Sequence, residues 1–128
     1  MKPAAREWVA KAEEDFLAAI DLSRRRKAPL WSSVCFHAQQ SAEKYLKSRL
    51  EEAAQRIPKT HDWEVLLQLL LGIEPLWAAL RPSCQRLTDY AVDFRYPGHH
   101  AQKTHDQQAL KDTKLIRRET RLSLGLQI

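Results

Sequence analysis

Apolar side chains recur at spacings of three and four along nearly the whole of this chain, while glycine, which sheets use for turns and bulges, occurs only at 72, 98 and 125. That pairing of a 3.6-residue period with so little glycine restricts the chain to helices. A first helix is expected from about Ala4 to Arg26, with Ala5, Trp8, Ala12, Phe16, Ala19, Ile20 and Ser23 on one stripe. The run Arg24, Arg25, Arg26, Lys27 places cations at its end, and Ala28-Pro29 breaks it. A second helix is expected from about Leu30 to Gln55, its core stripe running from Trp31 through Val34, Ala38, Ala42 and Tyr45 to Ala53.

Pro58 ends the next connection, and Thr60-His61-Asp62 opens a short third helix for which Gly72 is a left-handed stop. After Glu74-Pro75, a helix interrupted or restarted at Pro82 carries Cys84, Leu87, Ala91 and Phe94, and Tyr96-Pro97-Gly98 stops it. The last helix is expected to begin near Thr104, with Thr104 and Gln107 at capping-box spacing, and to run to about Leu122. The tryptophans and phenylalanines fall on apolar stripes and are expected in the core. His61 and His105 are expected in helix caps. The fold class is therefore all-α: an up-and-down four-helix bundle with one or two additional short helices.

A chain of 128 residues with 44% apolar side chains is one domain with a core of its own, here residues 1–128 with the core at about 4–122. No apolar run approaches the roughly 20 residues that span a bilayer, so no membrane partner is expected. Met-Lys-Pro at the start has no apolar signal region, which predicts a cytoplasmic protein. Cys35 and Cys84 lie on apolar faces and are expected as buried free thiols. No Cys/His spacing resembles a zinc site, and neither a metal nor a cofactor is expected. The net charge of +5 permits an anionic partner, such as RNA, a nucleotide or an acidic protein, without demanding one.

A second stripe of the second helix is polar: His37, Gln40, Lys44 and Lys47. Such a stripe is either a solvated face or a binding face. As a binding face, Lys44 and Lys47 take a phosphate or an acidic partner, and His37 and Gln40 form hydrogen bonds across a dimer or to a ligand. Glu43 and Lys47, at i and i+4, supply a structural alternative.

The string Phe36-His37-Ala38-Gln39-Gln40-Ser41-Ala42-Glu43-Lys44-Tyr45-Leu46-Lys47 resembles the signature helix of HEPN domains, the higher eukaryote and prokaryote nucleotide-binding family. The likeness extends to Lys59-Thr60-His61-Asp62, to Tyr90 through Gly98, and to Ala12 through Phe16 near the start. It implies a bundle that forms homodimers and binds a nucleotide or RNA. It further implies a minimal nucleotidyltransferase as partner, in a pair behaving as a toxin–antitoxin system. Active ribonucleases of the family pair an arginine with a histidine four to six residues later and use no metal. Arg95 and His100, with four residues between them, have that spacing. There the arginine would clamp phosphate and the histidine would move a proton at the ribose 2′-hydroxyl or the leaving oxygen. The plain alternative is a helix end where Arg95 caps carbonyls and the histidines are solvated.

The catalytic pattern is incomplete, since Tyr96 follows the arginine where active members carry a polar residue and Gln102 stands where they carry a tyrosine. The expectation is therefore a binding module, with His37, Gln40, Lys44, Lys47, Arg95 and Tyr96 as its contacts. A ribonuclease using Arg95 and His100 is the alternative.

Overall fold

Small side chains on the first stripe let two long helices approach closely. Helix α1 (Pro3–Ser23) buries Ala5, Val9, Ala12 and Ala19, and α2 (Trp31–Glu52) meets it with Val34, Ala38, Ala42, Tyr45 and Leu46. The two run antiparallel: the Lys2 N–H, at the start of α1, donates to the Glu52 carboxylate at the end of α2, 2.7 Å away. The computed structural model describes residues 1–94 and 96–128. Its remaining elements are α3 (Trp63–Leu70), a 3-10 helix (Pro75–Leu80), α4 (Arg81–Asp93) and α5 (Lys103–Ser123).

The order of contacts fixes the topology. Ser83 and Arg86 of α4 hydrogen-bond Asp112, whereas Tyr90, further along α4, packs on His105, nearer the start of α5. These two helices are therefore antiparallel. On α2, Ala38 accepts from the Thr113 hydroxyl and Tyr45 meets Arg121, so α5 runs parallel to α2. The four longer helices alternate in direction, and no strand occurs among the described residues. None of the described helices is long and apolar enough to cross a membrane. The core is continuous, from Ala12 and Tyr45 through Trp63, Leu66, Leu67 and Leu70 to Leu87 and Ile116.

Several local expectations are corrected or narrowed. Helix α1 stops at Ser23 and α2 at Glu52, each short of the expected end. Helix α3 starts at Trp63 with Asp62 as its cap, Oδ1 accepting from the N–H groups of Glu64 and Val65 at 2.9 and 3.3 Å. Gly72 is not left-handed; the helix closes instead through the Leu70 carbonyl, which accepts from both Ile73 and Glu74. Pro82 restarts rather than breaks its helix, standing in the first turn of α4 where a missing N–H costs nothing. Helix α5 is capped by Gln102 and His105, not Thr104 and Gln107: the Gln102 N–H donates to His105 Nδ1 at 2.9 Å. Ala101 just before it is buried, and the cap falls two residues earlier than the sequence suggests.

Aromatic placement also departs from expectation. Trp63 and Trp77 are buried and Trp8, Trp31, Phe16 and Phe94 are partly covered, but Phe36 is 55% exposed.

Candidate functional site

The polar face of α2 is built from internal pairings. The Asp15 carboxylate of α1 accepts from His37 Nδ1 at 2.9 Å and from Lys44 Nζ. Lys47 is buried; its Nζ donates to Glu43 Oε2 at 3.1 Å and lies 5.6 Å from the centre of the Trp8 ring. The i, i+4 pairing of Glu43 with Lys47 is thus formed. Of the four stripe residues, Gln40 is the one that lines an open cleft.

That cleft has a volume of about 380 Å3 and lies between α2, the start of α3 and the end of α4. Phe36 and Gln40 form one wall, Tyr90 and Phe94 the other, and His61 edges it. The floor is rigid. Gln39, 5% exposed, donates its side-chain amide to the Leu87 carbonyl at 3.2 Å, and Trp63 Nε1 donates to the Gln39 carbonyl at 3.1 Å. Tyr90 packs edge-on and Phe94 at a tilt against His105, with ring centres 5.4 and 4.8 Å away, which ties the far wall to the cap of α5.

His61 is not a cap. Its Nδ1 lies 2.8 Å from Glu43 Oε1, so one buried carboxylate serves Lys47 and His61 together. The sequence reading missed this pair because the two residues stand on different elements. The only signal was His61 within Lys59-Thr60-His61-Asp62. Cys35 also borders the cleft but is chemically quiet, since burial pushes both its thiol and that of Cys84 up to about 12. Among the described residues no cluster of three or more His, Cys, Asp or Glu could hold a metal ion.

Phe94 is the last residue of the cleft wall, and Ala101, before α5, is buried. Between them Tyr96 is 60% exposed, Gly98 takes a positive φ of 90°, and His99 and His100 are both exposed. Arg95, expected as a binding and catalytic residue, lies outside the described residues. At the same end of the bundle, Arg24, Arg25, Arg26 and Lys103 border a second recess of about 390 Å3 beside Trp31 and Asp106.

Compared with known protein families, the chain matches the HEPN domain over residues 5–122. The chain belongs to the HEPN domain family. In this HEPN domain the signature string on α2 therefore serves two ends: Ala38, Ala42, Tyr45 and Leu46 build the core, while Phe36, Gln39 and Gln40 shape the cleft. No curated protein and no solved structure matches the chain.

Proposed function

We propose that this HEPN domain is a binding module that takes a nucleotide or a single-stranded RNA segment in the cleft between α2 and α4. It acts as the partner subunit of a minimal nucleotidyltransferase in a toxin–antitoxin-like pair. The observation that carries the proposal is the composition of the cleft. An exposed Phe36 ring offers a stacking face, Gln40 offers both a donor and an acceptor, and the volume of about 380 Å3 suits a small polar-aromatic ligand. Phe36 at the cleft, Val92 on α4 and Tyr96 just beyond it are exposed large apolar side chains, and they support a homodimer in which two clefts face each other. His37 and Lys44 border the polar face of α2 as secondary contacts, while Lys47 supports the site from within.

The test is binding of a short fluorescent single-stranded RNA, together with co-purification of a co-expressed minimal nucleotidyltransferase. RNA affinity that falls on Phe36→Ala and Gln40→Ala supports the module. Absence of binding at micromolar protein refutes the ligand. Sedimentation showing monomer alone refutes the paired cleft.

A second reading, a metal-independent endoribonuclease using Arg95 and His100, is favoured by one observation. His99 and His100 are both exposed between Phe94, the last residue of the cleft wall, and Ala101. Growth arrest with RNA loss on expression, abolished by His100→Ala, would establish it.

A further inference from the structure

Glu43 is 3% exposed, and its two oxygens are divided between two partners. Oε2 accepts from Lys47 Nζ at 3.1 Å, and Oε1 faces His61 Nδ1 at 2.8 Å. An ionised carboxylate only accepts hydrogen bonds, so a ring nitrogen at that distance donates to it. The proton between Glu43 and His61 therefore sits on Nδ1. In the neutral ring this leaves Nε2 as a bare lone pair, the tautomer being set by the bond at the other nitrogen. The His61 side chain is 67% exposed and edges the cleft, so the edge not held by Glu43 remains open to a ligand.

The backbone on either side of His61 is fixed. The Asp62 N–H donates to the Thr60 hydroxyl at 3.1 Å, Asp62 caps α3, and Trp63 is locked to the Gln39 carbonyl. An imidazole held at one nitrogen by a buried carboxylate, with its ring plane set and its second nitrogen exposed, is an oriented acceptor.

A lone pair requires a donor. An ionised phosphate has none to give, whereas a sugar hydroxyl does. We propose that His61 Nε2 accepts a hydrogen bond from the ribose 2′-hydroxyl of a nucleotide whose base lies against Phe36 and Gln40. Glu43 and Lys47 position it. This inference rests on the binding reading above, and it makes the cleft selective for ribonucleotides over deoxyribonucleotides.

The decisive variant is His61→Asn. Its amide nitrogen reaches the place of Nδ1 and keeps the bond to Glu43, while nothing remains at the place of Nε2. The probes are a short single-stranded RNA and the DNA of identical sequence, built from adenine and cytosine alone so that the 2′-hydroxyl is the sole difference. The full chain is expected to bind the RNA about three- to tenfold more tightly, the range of a single lost hydrogen bond. The His61→Asn variant is expected to keep its thermal midpoint and bind both strands like DNA. RNA preference retained in His61→Asn, or equal binding of both strands by the parent chain, overturns this inference alone. No binding of either strand overturns it together with the binding reading. Nitrogen-15 spectra of labelled histidine supply an independent readout. The expected result is a proton on Nδ1 of His61 and an Nε2 resonance that moves on adding RNA but not DNA. A proton on Nε2 with Nδ1 bare overturns the proposal.

Discussion

The Arg117 guanidinium of α5 grips the Glu13 carboxylate of α1 with two parallel hydrogen bonds of 2.9 and 2.8 Å, joining residues 104 positions apart. The same carboxylate accepts from the Tyr45 hydroxyl of α2, and Arg121 donates to that hydroxyl at 3.1 Å. Three helices are thus pinned at one polar knot, with the Arg117 guanidinium also 4.6 Å from the Phe16 ring. Burial by itself would raise the Glu13 carboxyl, but hydrogen bonds from Arg117 and Tyr45 outweigh it and hold the group below its ordinary value of 4.5. A lowered folded value gives stability that is full above the unfolded value and lost as pH falls through the folded one. Glu13→Gln should therefore cost about 1–2 kcal/mol at neutral pH. Its midpoint should converge with that of the parent as pH drops below 4.5, measured by thermal unfolding across pH.

Lys47 separates a structural role from a ligand role. Lys47→Met keeps the stem against Trp8 but removes the charge beside buried Glu43, so unfolding free energy should fall by about 1–3 kcal/mol. The salt dependence of RNA binding should not change, whereas losing a phosphate contact would lower the slope by about one.

Phe36 should behave in the opposite way. Its ring is 55% exposed, so Phe36→Ala should leave the thermal midpoint nearly unchanged. Affinity for single-stranded RNA should drop by about 1–3 kcal/mol, the stacking contribution of one base.

Asp106 is 4% exposed, and its Oδ1 is buried without a hydrogen-bond partner. Desolvation raises its carboxyl above the ordinary 3.8. Here the sign reverses: a raised carboxyl makes ionisation costly in the folded state, so stability falls as pH rises through the interval above 3.8. Asp106→Asn removes that cost and should stabilise the domain by about 1 kcal/mol at neutral pH. The difference should disappear at acid pH, as read from urea unfolding at several pH values.

Ala54 follows the end of α2 with a left-handed φ of 57°. The Gln55 N–H there closes onto the Leu50 carbonyl at 3.0 Å. Helix α5 ends the same way, with Gly125 at φ 74° and Leu126 donating to Arg121. Ala54→Gly should therefore raise stability by about 1 kcal/mol in urea unfolding, because glycine adopts that conformation without its Cβ meeting the next carbonyl.

The sequence by itself determined the helical class, the number of long helices, the short third helix with Asp62 at its start, and the family. These rest on periodicity, capping chemistry and a contiguous string on one helix, all of which are local. It also determined the Glu43–Lys47 pair, because i and i+4 are neighbours on any helix. Only the tertiary structure decided which polar residues are paired internally and which line the cleft. Lys44 and His37 are taken up by Asp15 of another helix, Lys47 is buried, and Phe36, on an apolar stripe, stands at the surface. Only the packing of α3 beside α2 brings His61 to Glu43, and only the return of α4 encloses the cleft. Periodicity names the face of a helix on which a residue lies. It does not name what is packed against that face, and that neighbour decides whether a charge is paired inside or presented outside.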